Sequence, residues 1–210
     1  MVTVTKHQIL QWLQAVATVL EQNKDYLTEL DAAIGDADHG INMNRGFQKV
    51  ITEVPKVADK DIGSILKTVS MTLISTVGGA SGPLYGTLFL RSSAAVAGKQ
   101  ELTQEDMVKL FQAAVEGVVQ RGKANLGDKT MLDALSPAAN AFAQAVDKGD
   151  SILEALQQAV NSAEEGMKNT IPLVAKKGRA SYLGERSAGH QDPGATSAYM
   201  ILQTLLETIA

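Results

Sequence analysis

The stretch SILEALQQAVNSAEEGM, residues 151–167, shows the pattern on which the fold prediction depends. Ser151 is followed three residues later by Glu154, and the two form a capping box, because each side chain can bond an amide that the first helical turn leaves unpaired. Apolar residues then recur at helical spacing, at Leu153, Leu156, Val160, Ala163 and Met167. The stretch therefore predicts an amphipathic helix with one face in a protein core.

Similar helix signals occur along most of the chain. Capping boxes are predicted at Thr5 with Gln8 and at Thr103 with Asp106, and Asp192 is followed by proline as in many first helical turns. Residues 69–73 also alternate like a strand, but the neighbouring helices and the lack of a partner strand favour a helix. We predict an all-α fold, a single domain over residues 1–210 with roughly eight amphipathic helices and no convincing strand pair.

Composition excludes several classes of function. The 210 residues carry a formal net charge of −4 and include no cysteine, which excludes a disulfide framework, a thiolate zinc site and a cysteine nucleophile. Since no run is rich in lysine or arginine, we expect no nucleic-acid partner. No apolar run approaches the ~18 residues of a membrane span, and the first helix makes a poor signal sequence. We therefore expect no membrane partner and a cytoplasmic location.

The densest group of polar side chains comprises Asp31, Asp36, Asp38, His39 and Asn42. Three carboxylates within eight residues repel one another unless a partner compensates their charge. Mg²⁺ is bound by a few carboxylates together with phosphate oxygens and water. The alternative is a solvated acidic turn in which Asp36 and Asp38 merely cap the next helix. Spacing alone leaves both interpretations open.

Other familiar sites are excluded by the residues themselves. In a calcium loop that began at Asp36, the sixth and twelfth positions would be Ile41 and Phe47 instead of glycine and glutamate. No phosphate-binding loop of the Gly-x-x-x-x-Gly-Lys type is present. The three histidines, His7, His39 and His190, are too few for a histidine-dependent metal hydrolase.

Glycine-rich turns precede two of the predicted helices. These are GGASGP at residues 78–83 and GHQDPG at 189–194, and helix N-termini favour anions. Residues 171–192 form a long connection with Lys176, Lys177 and Arg179, which supply positive charge. Ordinary turns and a solvated basic loop remain the alternatives. Together with the aspartates, these segments indicate a Mg²⁺–nucleotide site on a helical scaffold.

The same segments carry a family resemblance. GDADHGINMNRGF (35–47), TVGGASGPLYGT (76–87), RGKANLGDKTMLDAL (121–135) and KKGRASYLGERSAGHQDPGATS (176–197) together resemble the nucleotide-binding L subunit of bacterial dihydroxyacetone kinases. The resemblance implies a barrel of eight antiparallel helices with the nucleotide at one rim. It also implies that Asp31, Asp36 and Asp38 bind two Mg²⁺ ions on the nucleotide phosphates.

The resemblance further implies which residues contact the nucleotide. These are His39, Gly40, Ile41, Asn42, Ala80, Ser81, Gly122, Met131, Arg179, Asp192, Pro193 and Gly194. Arg179 lies in the loop that closes over the site, and there it is the expected catalytic residue.

In this family a K subunit binds dihydroxyacetone, and an M subunit brings phosphoryl groups from phosphoenolpyruvate through the phosphotransferase system. Because 210 residues leave no room for a K-like domain, we expect a stand-alone L subunit. ADP would then stay bound as a cofactor, become ATP when phospho-M phosphorylates it in place, and donate to dihydroxyacetone on K. Two alternatives are a kinase subunit that exchanges ATP at each turnover and a nucleotide-dependent regulator of a transcription factor.

Overall fold

The structure, a computed structural model, describes residues 3–210. It contains nine α-helices: α1 (Lys6–Gln22), α2 (Lys24–Ile34), α3 (His39–Glu53), α4 (Ile62–Thr76), α5 (Ser81–Ala95), α6 (Gln104–Gly122), α7 (Leu132–Lys148), α8 (Ile152–Lys168) and α9 (Pro193–Ile209). Two 3₁₀ segments, Val54–Val57 and Arg179–Ser187, and two short strands, β1 (Val4–Thr5) and β2 (Glu101–Leu102), complete the described elements. No helix among residues 3–210 is both long and apolar enough to cross a bilayer.

Local hydrogen bonds start the helices where the sequence predicts. The capping boxes of Thr5 with Gln8, Thr103 with Asp106, and Ser151 with Glu154 are all formed. Residues 69–73 lie within α4, so the helical interpretation of that stretch is confirmed.

Eight of the nine helices form a closed ring. Around the ring, α1 packs on α3, the helices α3 to α9 follow in chain order, and α9 packs back on α1. The first residues of α3, α5 and α9 line one cleft, as expected when neighbouring helices of the ring run antiparallel. Helix α2 packs against α3 and α9 and is the ninth helix, additional to the ring. The predicted all-α fold of about eight helices is confirmed.

Large aromatic side chains fill the interior of the ring. The ring centroids of Trp12 and Phe47 lie 6.1 and 6.2 Å from that of Phe89, and all three side chains are buried. The indole nitrogen of Trp12 donates to the carbonyl oxygen of Ile201 at 3.0 Å, which joins α1 to α9. The aromatic cluster thus packs α1, α3 and α5 together, and the Trp12 bond connects it to the last helix of the chain.

Two details of the sequence prediction are wrong. The expectation of no strand pair fails, because β1 pairs antiparallel with β2, with Val4 opposite Leu102. Two residues on each strand give no alternation long enough to detect in the sequence. Leu153, predicted on the apolar face of α8, is 38% exposed, whereas Ile152 is buried. The buried face also includes Ala155 and is thus rotated from the predicted one.

Helices α7 and α8 make a close contact at a helix-interior proline. Pro137 is the sixth residue of α7 and has no N–H for the carbonyl of Asp133. A Cβ on Gly166 of α8 would lie 2.0 Å from that same carbonyl oxygen. Glycine therefore permits α8 to approach backbone that would otherwise be blocked.

We expect Gly166→Ala to lower the free energy of unfolding by about 1–3 kcal/mol, since the added methyl group forces the two helices apart. Chemical denaturation monitored by circular dichroism measures the effect. Glu165→Ala, an exposed neighbour on the same helix, is the control and should remain close to the parent protein. Equal stability of the two variants would contradict the packing argument.

Candidate functional site

A cleft of about 520 Å³ opens at one rim of the barrel. The first residues of α3, α5 and α9 and the residue before α7 line it, so that four helix N-termini face the same space. Direct contacts join these termini: His39 of α3 bonds Ser81 of α5 and Ser197 of α9. Helix N-termini present unpaired amides and partial positive charge, which makes the cleft suitable for an anion.

Three carboxylates lie at one side of this cleft. Asp31 is in the last turn of α2, and Asp36 and Asp38 are in the turn that leads to α3. One oxygen atom from each of the three lies within 4.8 Å of those from the other two. This separation allows one divalent cation or a pair of cations to contact all three side chains.

The hydrogen bonds of the turn show which aspartate caps α3. Asp31 Oδ2 accepts from the backbone nitrogen atoms of Asp38 at 2.8 Å and His39 at 3.1 Å. Asp38 occupies the N-cap position of α3, but its side chain makes no capping bond. The carboxylate that caps α3 is thus Asp31, and the proposed capping role of Asp36 and Asp38 is not observed.

The backbone of the aspartate turn is held in a strained conformation. Ala37 has a φ of +60°, a left-handed value that costs a non-glycine residue energy. A Cβ at Gly35 would lie 2.1 Å from Asp31 Oδ1, so this position requires glycine. In this turn Asp36 and Asp38 come close to Asp31, and residue spacing alone reveals neither the left-handed Ala37 nor the restricted space at Gly35.

Arg179 reaches the aspartates from the long connection between α8 and α9. Its Nε lies 2.9 Å from Asp36 Oδ2, and both side chains remain partly exposed. A surface pair of this kind contributes little to stability. Its effect is positional, because it places a guanidinium group at the mouth of the cleft beside the carboxylates.

A buried chain of polar side chains supports the back of the cleft. His39 Nδ1 lies 3.1 Å from Ser81 Oγ and Nε2 lies 2.9 Å from Ser197 Oγ, which in turn lies 2.7 Å from the Tyr85 hydroxyl. Burial lowers the pKa of His39 more than the nearby Asp31 and Asp38 charges raise it. Tyr85 and Ser197 are not among the residues predicted from the sequence, because the chain of bonds joins them to His39, which is 158 residues from Ser197.

The structure brings most of the predicted site residues to the wall of the cleft. They are Asp31, Asp36, Asp38, His39, Ala80, Ser81, Gly122, Met131, Arg179, Asp192, Pro193 and Gly194. Their roles in binding remain predictions.

Three predicted nucleotide contacts, Gly40, Ile41 and Asn42, lie outside the cleft wall. Gly40 packs on α2, where a Cβ would lie 2.0 Å from the carbonyl oxygen of Lys24. Ile41 is 49% exposed, and the buried Asn42 accepts from Arg45 at 2.7 Å. In this structure Gly40 and Asn42 support the packing of α3, and direct nucleotide contact by the three remains a prediction.

Asp192 is a buried carboxylate at the start of α9. Its Oδ2 accepts from the backbone nitrogen of Ala195 at 2.7 Å. Burial raises the pKa of Asp192 to about 7; the Asp133 and Asp31 charges add to this rise, while the Ala195 amide and Lys129 oppose it. The folded protein therefore holds a proton on this group more tightly than the unfolded chain does.

We expect Asp192→Asn to remove a pH dependence of stability. Because the folded pKa is raised, the contribution of Asp192 is greatest below its unfolded pKa of 3.8 and is lost as pH rises to about 7. Between these pH values the free energy of unfolding of the parent protein should fall, relative to that of the variant, by on the order of a few kcal/mol. Urea unfolding between pH 4 and 8 measures the difference, and parallel pH curves would contradict it.

Comparison with known proteins shows which family this chain resembles. The DAK2 domain family matches residues 33–207. The ADP-binding subunit DhaL of the PEP-dependent dihydroxyacetone kinase of Escherichia coli (strain K12) is 50% identical over 203 residues, 97% of each chain. The corresponding subunit of the PTS-dependent kinase of Lactococcus lactis subsp. lactis (strain IL1403) is 41% identical over 96% of each chain.

Solved structures show the same fold. The dihydroxyacetone kinase of C. freundii in its native form superposes with a TM-score of 0.72 at 22% sequence identity. The alignment covers 99% of this chain but only 36% of that longer protein. The structure of the same kinase in complex with AMP-PNP and Mg²⁺ gives a TM-score of 0.70. Taken with the matched residues and the shared helical architecture, these similarities show that the chain belongs to the DAK2 domain family.

Proposed function

We propose that this chain is the ADP-binding subunit of a phosphoenolpyruvate-dependent dihydroxyacetone kinase. Bound Mg²⁺–ADP would supply the chemistry, accepting a phosphoryl group from a phosphocarrier M subunit and passing it to dihydroxyacetone held by a K subunit. One observation carries the proposal: three clustered carboxylates face a cleft formed by four helix N-termini. The match to the E. coli subunit over 97% of both chains supports it.

The carboxylates suit Mg²⁺ in number and kind. Asp31, Asp36 and Asp38 offer only oxygen atoms, which Mg²⁺ prefers, and leave room for water and phosphate oxygens. The capping bonds use Oδ2 of Asp31, so its Oδ1 is the oxygen left for a cation. We assign two Mg²⁺ ions to this set, because two cations together neutralise a diphosphate and three carboxylates more fully than one.

The rest of the cleft provides one surface for the phosphate groups of the nucleotide and another for its nucleobase. Ala80 and Ser81 line the cleft at the start of α5, where the first amides of a helix have no partner within the helix. When His39 Nδ1 donates to Ser81, the Ser81 hydroxyl hydrogen is available to a phosphate oxygen. Leu84, Val118 and Met131 line an apolar part of the same cleft and suit a nucleotide base.

Arg179 is the residue we assign to stabilisation of the transferred phosphoryl group. Its guanidinium offers donors in a planar arrangement that matches phosphate oxygens, and it sits beside Asp36 at the cleft mouth. His39, the histidine of the cleft, has both ring nitrogens within hydrogen-bond distance of serine hydroxyls, so neither is free to act as a base. A base for dihydroxyacetone would therefore come from the K subunit.

The nucleotide that purifies with the protein tests the proposal. After desalting and denaturation, we expect near-stoichiometric ADP by mass spectrometry. Asp36→Asn should remain folded but carry much less nucleotide, because one ligand of the cations is lost. Asp25→Asn is the matched control, since this aspartate is exposed on α2 away from the cleft.

The other outcomes distinguish the alternatives. Empty protein that binds ATP only transiently would favour a subunit that exchanges ATP at each turnover. A protein that binds neither nucleotide with Mg²⁺ would reject the assignment of the aspartates. Phosphoenolpyruvate-dependent phosphorylation of dihydroxyacetone by the reconstituted subunits would argue against regulation of a transcription factor as the sole function.

A second prediction concerns Arg179 alone. We expect Arg179→Ala to retain ADP. Once that ADP has been phosphorylated, single-turnover transfer of its terminal phosphoryl group to dihydroxyacetone should slow on the order of 10²-fold or more, because charge stabilisation in the transition state is lost. Arg186→Ala, an exposed arginine in the same 3₁₀ segment, is the control and should transfer normally. An unchanged transfer rate in Arg179→Ala would count against the assigned role.

A further inference from the structure

Lys129 is an unusual lysine. Its side chain is among the largest fully buried ones of the described residues, with 1% exposure. Its backbone has a left-handed φ of +63°, which is uncommon for a residue other than glycine. None of the salt bridges among residues 3–210 includes it. Because a buried ammonium group outside any salt bridge is costly, other groups must compensate its charge.

Backbone carbonyl groups surround this ammonium. Nζ donates to the carbonyl oxygens of Thr170 at 2.8 Å and Leu173 at 3.1 Å, and lies 3.4 Å from that of Ile171. It also donates to the carbonyl oxygen of His190. The dipoles of these groups compensate the positive charge at hydrogen-bond distance, and the buried Asp192 adds an attraction from outside salt-bridge range.

These carbonyl groups belong to both ends of one segment. Residues 169–192, which we term the arginine loop, connect α8 to α9 and carry Arg179. Two further bonds cross the base of the loop, from Gly189 N to Ile171 O at 2.7 Å and from Asp192 N to Thr170 Oγ1 at 3.0 Å. Lys129 therefore lies where the arginine loop leaves the barrel and returns to it.

The backbone around Lys129 belongs to the cleft. Thr130 and Met131, which follow it, line the cleft before α7. The carbonyl oxygen of the preceding Asp128 accepts from Lys176 N in the arginine loop at 3.0 Å. One residue thus connects the cleft wall to the loop.

We propose that Lys129 is a positioning residue that clamps the base of the arginine loop and so sets the location of Arg179 over the cleft. An ammonium group with three N–H donors can hold carbonyl groups from both ends at once, whereas an apolar side chain leaves them buried and unpaired. All its hydrogen bonds go to the arginine loop and none to a helix of the ring. The effect of Lys129 on catalysis rests on the proposed function, whereas its role in holding the base of the arginine loop does not depend on that function.

Lys129→Met tests the clamp, because it keeps the length of the side chain and removes its charge and donors. Lys123→Met is a matched control, since Lys123 also has a left-handed φ, of +50°, but is exposed. Limited trypsin digestion reports on the loop through cleavage after Lys176, Lys177 and Arg179. We expect at least tenfold faster cleavage there in Lys129→Met, with unchanged circular dichroism, and parent-like cleavage in Lys123→Met.

Phosphoenolpyruvate-dependent phosphorylation of dihydroxyacetone by the reconstituted subunits, measured at saturating Mg²⁺–ADP, should fall at least tenfold in Lys129→Met, because Arg179 is no longer held in place. Parent-like cleavage of folded Lys129→Met would overturn the clamp. If that variant does not fold, Lys129→Gln, which keeps an N–H donor, should fold and show intermediate cleavage. Loss of the fold in both variants would show that Lys129 stabilises the whole barrel, which would also overturn the proposal. Failure of the parent protein to bind ADP would reject the proposed function alone.

Discussion

The closed ring of antiparallel helices is the constraint on which the site depends. Because direction alternates around the ring, α3, α5, α7 and α9 all begin at the same rim. The bond from Trp12 to Ile201 joins α1 to α9 where the ring closes, and the aromatic cluster around Phe89 packs α1, α3 and α5 together inside it. Four sets of unpaired amides therefore meet in one cleft, which makes this rim electrostatically suited to phosphate.

Around this rim the structure places residues whose burial or backbone conformation is energetically unfavourable. The left-handed residues Ala37, Lys123 and Lys129 are the only non-glycine cases among the described residues, and all lie in connections that border the cleft. Asp192 is buried with a raised pKa at the start of α9. Such features lower stability, and the surrounding helices must compensate for them. Their concentration at one rim supports a functional role for that rim.

Sequence reasoning identified the parts of the site that follow from local chemistry. The capping boxes and the Asp31–Asp38 cluster depend on residues within one or two turns, so their spacing is informative. Leu153 shows the limit of periodicity, because a small rotation of α8 exposes a leucine that the pattern placed inside. Tyr85, Ser197 and Lys129 had no local signal at all, since their partners are distant in the chain.

The sequence by itself determined the all-helical class, the start of most helices and the identity of the charged residues at the site. These properties arise from hydrogen bonds and burial patterns repeated every three or four residues. Only the tertiary structure decided which helix N-termini meet, that Asp31 caps α3, and that Lys129 joins the two ends of the arginine loop. The reason is that ring closure brings together groups up to 189 residues apart, and no local pattern encodes that distance.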